Sequence, residues 1–274
     1  MTIRVAVTAA AGKMGKAIIA ALAEQAELQL VAALGRPGAA CLGEDAGRLA
    51  GGRNLDVSVS ADLPAALTLA DVCIDFSPAD AALAHLHAAA AAGCPVVVGS
   101  TGFTPTQVQE IQQLAQRIPL VVAPNMSVGI NVLLAFLPQM VAALGESYDI
   151  EILEAHHSQK RDAPSGTALA LGRAAAAGRQ GQLDELACYD RNGIPGPRQP
   201  GSIGFATLRA ADVVGEHSIW LAGAGERMEL THRASSRRNF AEGALRAARW
   251  LQGQKAGLYD MQDVLGLRPH PGVE

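Results

Sequence analysis

From position 156 to 167 the chain reads His156-His157-Ser158-Gln159-Lys160-Arg161-Asp162-Ala163-Pro164-Ser165-Gly166-Thr167. Groups that move protons near neutral pH stand here beside groups that hold anions, so the stretch is equipped to protonate a negatively charged molecule. The two histidines end a strand-like run, Tyr148 to His156, in which successive residues face opposite sides. They therefore serve different purposes. Pro164 bars helix before it, and Ser165-Gly166-Thr167 opens an apolar helix, Ala168 to Ala177, with Ser165 as N-cap. An open helix start has spare N–H donors and the positive end of a dipole, which suits a carboxylate held beside Lys160. The implied substrate is anionic. A zinc site would take Glu154 and His156 from one strand face, but Lys160 and Arg161 would repel a cation, so no metal is expected.

Short apolar runs alternate with helical patterns in the first half, the mark of βαβ units around a parallel sheet. Strands are expected at Ile3 to Val7, Leu28 to Ala33, Val72 to Asp75, Pro95 to Val98 and Leu120 to Val122, with a first helix from about Gly12 to Ala26. The Ala-rich run Ala79 to Ala92 is read as an amphipathic helix, because Asp80, His85 and His87 interrupt it. The glycine-studded stretch from Gly35 to Asp56 reads as mobile surface loop. After Asn125 the pattern changes. A helix near Val128 to Leu144 leads to the strand that ends at His156, and from Gly201 onward β-type alternation predicts an antiparallel sheet, with turns at Asp212 and at Gly223 to Glu226. The closing helix, Asn239 to Gln252, is expected to pack back on the parallel sheet.

The fold class that follows is α/β: a Rossmann-type parallel-sheet domain over 1–127 and 239–274, plus a smaller α+β domain with a mainly antiparallel sheet over 128–238. The smaller sheet has too few helices to cover both faces, which predicts a homo-oligomer, taken as a tetramer, formed sheet to sheet.

In the first βα turn, Thr8-Ala9-Ala10-Ala11-Gly12-Lys13-Met14-Gly15, backbone N–H groups are placed to meet a pyrophosphate. The strict glycine fingerprint is absent, since Ala9 and Ala11 stand where glycines are usual. At the end of the second strand, where a carboxylate would bind ribose hydroxyls, Gly35-Arg36 offers a cation, helped by Lys13 and suited to a 2′-phosphate. NADPH is therefore the favoured cofactor, with NADH also accepted. Three more strand ends, Asp75-Phe76-Ser77, Gly99-Ser100-Thr101 and Ala123-Pro124-Asn125-Met126, belong to the same crevice, with Ser77 reading as a helix N-cap.

Bulk numbers exclude other classes. A net charge of -4 and pI near 6.0 leave no concentrated basic face for nucleic acid, and Arg233, Arg237 and Arg238 form only a local cluster. The four cysteines lack metal-type spacing, and Cys73 and Cys94 sit in apolar runs, so reduced core thiols are expected. No leader precedes Ile3 and no apolar stretch is of membrane-spanning length, so a cytoplasmic protein without a membrane partner is expected.

The segment Glu154 to Ala168 resembles the signature of the dihydrodipicolinate reductases. So do Gly12-Lys13-Met14-Gly15, Ile74-Asp75-Phe76, Gly99 to Phe103, Asn125 to Asn131, Gly201 to Phe205, Gly215-Glu216-His217 and Ala234 to Arg237. The resemblance implies hydride transfer from NAD(P)H to 4-hydroxy-tetrahydrodipicolinate, a cyclic dicarboxylate, with loss of its 4-hydroxyl. By position it implies proton delivery by His156 and Lys160, and substrate contacts from His157, Ser165, Gly166, Thr167 and Thr101. Cofactor contacts fall on Ala9, Ala10, Ala11, Gly12, Lys13, Met14, Gly35, Arg36, Phe76, Gly99, Ser100, Thr101, Ala123, Pro124, Asn125 and Met126. Ala9 and Gly35 depart from the family's pattern. A nucleotide sensor would have no use for paired His and Lys, and a polyol dehydrogenase no use for so cationic a pocket.

Overall fold

A computed structural model of the chain describes residues 2–268. Its elements are β1 (Ile3–Val7), α1 (Lys13–Leu22), β2 (Leu28–Leu34), α2 (Ala46–Leu49), β3 (Val59–Ser60), α3 (Leu63–Leu69), β4 (Val72–Asp75) and α4 (Ala79–Ala92). There follow β5 (Val96–Val98), α5 (Pro105–Leu114), β6 (Pro119–Val122), α6 (Val128–Leu144), β7 (Asp149–His156), α7 (Gly166–Gly178) and α8 (Leu183–Leu186). The chain closes with β8 (Ala187–Cys188), β9 (Ile203–Arg209), β10 (Gly215–Gly223), β11 (Glu226–Ala234), α9 (Arg238–Leu251), β12 (Gly257–Tyr259) and α10 (Met261–Leu265). Contacts divide it into two compact units, Met1–Val128 with Arg237–Glu274, and Gly129–Ser236. Among the described residues no helix is long and apolar enough to cross a membrane.

The first unit is built on a seven-stranded sheet in the order β12-β6-β5-β4-β1-β2-β3, all ladders parallel. Strand order reverses between β1 and β4, the doubly wound arrangement whose ligand crevice opens at the strands' carboxyl ends. Both faces must be covered, so the central strands are apolar on both sides rather than alternating. Val5, Val7 and Ile74 pack with Ile18 and Ile19 of α1 and Leu245 of α9 on one face. Ala6, Cys73 and Val96 pack with Leu86 of α4 and Leu114 of α5 on the other. Truncating the fully buried Ile74 to Ala would cost about 2–5 kcal/mol.

The stretch from Gly35 to Asp56 is not the mobile loop expected from its glycines. Asp45 caps α2 and accepts backbone N–H groups from Arg48, Leu55 and Val57, while Cys41 and Ala46 are buried. One carboxylate thus supplies the order that composition concealed. Short elements not expected from the sequence are α2, β3, α3, α5, α8, β8, β12 and α10. The polar helix α5 is signalled only by its capping box, in which Thr104 and Gln107 satisfy each other's backbone N–H.

The second unit carries a sheet in the order β11-β10-β7-β9-β8. Its ladders β11–β10 and β10–β7 are antiparallel, but β7–β9 and β9–β8 are parallel. The sheet is therefore mixed and mostly antiparallel by length of pairing, which is the mainly antiparallel sheet expected, with β9 running parallel to both β7 and β8. The Asp212 turn does not close a hairpin, because β9 and β10 flank β7 on opposite sides. The two-residue turn Ala224-Gly225, with Gly225 at φ 85°, does close one between β10 and β11.

Candidate active site

At the switch point of the parallel sheet, the turn after β1 makes a close approach to α1. A Cβ on Gly15 would lie 2.2 Å from the Ala9 carbonyl oxygen, so only glycine lets the helix start so near the strand end. Gly12 is the N-cap, without a side-chain cap, and no acidic residue stands in the first turn. The N-terminal amides of α1 therefore suit an anion from outside the chain. Ala9 adopts φ 49°, the left-handed conformation of the glycine usual there. The departure from the motif keeps the motif's backbone.

A cleft of about 740 Å³ opens at this point, lined by Ala9, Ala11, Gly12, Gly35 and Arg36 among others. Its volume is in the range of small-molecule and cofactor sites. A Cβ on Gly35 would lie 3.3 Å from both Cys41 Sγ and Val59 Cγ1, so an acidic side chain there would have to displace the packing. No carboxylate is expected here from the residues that follow β2 directly, yet Glu44 lines the same cleft as Arg36. His85, also unforeseen, lines it too, its Nδ1 2.7 Å from Oδ2 of the fully buried Asp75. Burial pushes the Asp75 carboxyl up, but the His85 and Ser77 hydrogen bonds outweigh it and hold the group below its usual value. Ser77 does not cap α4, whose N-cap is Pro78. Its amide donates to Asp75 at 2.7 Å and its hydroxyl meets that of Thr8 at 3.2 Å.

Lys13 and Met14 begin α1, and Ala10 is fully buried beside them. Phe76 lies against Gly99, and Ser100 is buried with a hydroxyl that no described group engages, while Thr101 is exposed. At the end of β6, Ala123 and Met126 are buried and Asn125 Oδ1 accepts the Ser127 amide at 2.9 Å.

In the second unit the inner face of the mixed sheet changes character along its length. Register aligns Ile219, Ile152 and Phe205 in an apolar row over α7. His217, Glu154 and Thr207 form the next row, and then His156 stands opposite Arg209. Polar chemistry begins where the apolar cover of the helices ends. Glu154, 1 % exposed, receives Arg209 Nη1 at 2.9 Å and Nη2 at 2.8 Å, the Ser165 amide at 3.0 Å and Thr207 Oγ1 at 3.2 Å. His156 Nδ1 lies 2.6 Å from Glu154 Oε2, and its ring meets that of His217 edge-on at 5.1 Å.

Burial pushes the Glu154 carboxyl up, but the Arg209 and His156 hydrogen bonds outweigh it and keep it below the usual carboxylate range. Burial lowers His156 below the ordinary histidine value, Glu154 opposes, and the charges of Lys160 and Arg209 lower it further. The buried ring of His217 is pushed down to about 4, first by burial and then by the charge of His156. Arg209 did not stand out in the sequence, while Glu154 entered only as a candidate zinc ligand and both it and His217 only within stretches that resemble the family, with no role assigned. The local signal was a carboxylate two residues before His156 on the same strand face.

Lys160 Nζ pairs with Asp162 Oδ1 at 2.9 Å. The start of α7 is less open than its sequence suggests. The Ser165 hydroxyl caps the Ala168 amide at 3.1 Å and meets His217 Nε2 at 3.0 Å, so that buried side chain is committed within the protein. Burial pushes the Asp162 carboxyl up, but the Lys160 hydrogen bond and nearby backbone amides, that of Gly166 among them, outweigh it and keep it below the usual carboxylate range. Gly166 is exposed, and a Cβ there would meet nothing within 4 Å, which leaves room for a ligand over the helix start. His157, half-buried, follows the strand, and its carbonyl accepts the Lys160 amide at 3.1 Å. Among the described residues no three His, Cys, Asp or Glu side chains are grouped to hold a metal ion.

A doubly wound unit with an anion-ready first turn, and a second unit with a buried Glu–His pair beside the loop that carries Lys160, define a dinucleotide-fold enzyme with titratable groups gathered at one end of its second sheet. Residues 3–126 match the family profile described as dihydrodipicolinate reductase, N-terminus, and residues 129–265 the one described as dihydrodipicolinate reductase, C-terminus. The chain is 51% identical over 268 residues to the 4-hydroxy-tetrahydrodipicolinate reductase of Magnetococcus marinus, covering 98% of this chain and 100% of that one. It is 50% identical to the enzyme of the same name from Thiobacillus denitrificans, with the same coverage. Among solved structures, dipicolinate-bound dihydrodipicolinate reductase from Paenisporosarcina sp. TG-14 superposes with a TM-score of 0.75 at 25% identity, over 96% of this chain and 99% of that one. An amine dehydrogenase from Mycobacterium smegmatis, at 16% identity and TM-score 0.64 over 99% and 98%, shares the fold. The chain belongs to the dihydrodipicolinate reductase family, oxidoreductases of lysine and diaminopimelate biosynthesis.

Proposed function

We propose that the chain reduces 4-hydroxy-tetrahydrodipicolinate with NADPH, giving tetrahydrodipicolinate and water. The observation that carries this reading is the juxtaposition of His156, buried against Glu154, with Lys160 in the loop before α7. A ring dicarboxylate needs cations and amides for its carboxylates, and its reduction needs a proton. The nicotinamide cofactor supplies the hydride. His156 and Lys160 deliver the proton that balances the charge built up on the ring, and His157, Gly166, Thr167 and Thr101 hold the substrate. Ser165, whose hydroxyl and amide are both committed, acts by fixing the helix start in place.

The cofactor is held by the segments Ala9 to Met14, Gly99 to Thr101 and Ala123 to Met126, with Phe76, Gly35 and Arg36. Tight packing at Gly35 and a cation at Arg36 support preference for the 2′-phosphate, with Glu44 available to ribose hydroxyls when NADH binds. We expect a homotetramer in the cytoplasm, formed through the mixed sheet, and light scattering of a monomer would overturn that expectation.

The test is a coupled assay in which pyruvate and aspartate semialdehyde generate the substrate and oxidation of the reduced nicotinamide is followed. No oxidation with active coupling enzyme overturns the reading. Arg36→Ala should raise the KM for NADPH and not for NADH. Equal or better use of NADH by the wild type overturns the preference.

A further inference from the structure

Glu154 is a buried carboxylate at the back of the His156 ring. Its Oε1 takes Arg209 Nη2, the Ser165 amide and Thr207 Oγ1, and its Oε2 takes Arg209 Nη1 and faces His156 Nδ1 at 2.6 Å. Arg209 and a backbone amide can only donate, so both oxygens must accept, which the ionised carboxylate does. The hydrogen between Glu154 and His156 therefore belongs to Nδ1. A neutral imidazole carries one hydrogen, so Nε2 is left as the bare nitrogen, and in the cation it is Nε2–H that can leave. Nε2 lies over Gly215, where a Cβ would come within 3.1 Å of it, and no other described group bonds it. The missing side chain at Gly215 keeps that nitrogen approachable.

We propose that Glu154, clamped by Arg209, is a positioning residue: it holds the Nδ1 hydrogen of His156 and aims Nε2 as the atom that gives its proton to the substrate. This rests on reading His156 as a proton donor. In the step the Nε2–H bond breaks, the proton passes to the substrate, and His156 is left neutral with Nδ1–H still on Glu154. Solvent then returns the proton to Nε2. A buried ion pair is a weak source of net stability, because desolvation of both charges offsets most of their attraction. Keeping Glu154 and Arg209 charged behind a histidine is better explained by control of that ring. The charged and titratable groups around the ring are Glu154 on β7, Arg209 on β9, His217 on β10, and Lys160 and Asp162 in the loop before α7.

The first test needs no variant and no substrate. Nitrogen NMR of histidine-labelled full-length protein above pH 7 should show His156 as the Nδ1–H tautomer, and a dominant Nε2–H tautomer overturns the proposal. The second is Glu154→Gln, which keeps the shape and removes the charge. With NADPH affinity unchanged, kcat should fall and the descending limb of its pH profile should move to lower pH by about one unit or more. A folded Glu154→Gln protein with wild-type kcat and an unmoved limb overturns the proposal. If that variant does not fold, Arg209→Lys, which loosens the two-point clamp, should raise the Nε2–H fraction in the same spectrum, and an unchanged tautomer counts against it. Inactivity of the wild type toward the dicarboxylate would defeat the substrate reading while the tautomer measurement still stood.

Discussion

Lys160 Nζ sits 2.9 Å from Asp162 Oδ1, in the loop that leads into α7. An internal carboxylate thus occupies the cation proposed to receive a carboxylate of the substrate. Asp162 is more than half exposed, so the pair is worth no more than about 1 kcal/mol. Asp162→Ala should lower the KM for the dicarboxylate about two- to fivefold with little change in kcat, measured in the coupled assay. A raised KM would show that Asp162 supports the bound state instead.

Proton delivery by two groups predicts that His156→Ala and Lys160→Ala each cut kcat at least about a hundredfold, the usual scale of general acid catalysis. Steady-state kinetics at saturating NADPH checks this, and near wild-type turnover in either variant removes that residue from the role.

Burial holds the pKa of His156 below its ordinary 6.5 in the free protein, with Lys160 and Arg209 adding to the effect against Glu154. The donor must be protonated, so kcat/KM should fall as pH rises through a value below 6.5. A bound dicarboxylate brings negative charge and raises that pKa, so the corresponding fall in kcat should come at higher pH. Coincident limbs would refute the coupling.

His217 is buried, with its pKa pushed from 6.5 down to about 4. Between those values the unfolded chain binds a proton that the folded one refuses, so stability falls as pH drops through this window. The full loss is about 3 kcal/mol. Urea unfolding at neutral and mildly acid pH measures it, and His217→Gln should remove a contribution of that size from the pH dependence.

Ala9 holds φ 49°, which costs an L-residue about 1–2 kcal/mol and glycine almost nothing. Ala9→Gly should therefore raise stability by about 1 kcal/mol, read as a higher urea midpoint, with NADPH affinity kept. A lower midpoint would mean that glycine's extra freedom in the unfolded chain outweighs the relieved strain.

The sequence by itself determined the parallel-sheet unit, because strands buried on both faces must be apolar runs, and Val72–Asp75 was legible to the residue. It also marked His156, Lys160 and Gly166, since those residue types at a strand end and a helix start have few other uses. The tertiary structure alone decided what surrounds them. Arg209 and His217 lie far along the chain from Glu154 and reach it only because β9 and β10 flank β7, and strand pairing of that kind leaves no periodic signal in any one segment. The same holds for Asp45, whose carboxylate orders a glycine-rich stretch through contacts up to Val57. Hydrophobic period is a local property and could be read, whereas the partners of a buried charge depend on which strands lie side by side.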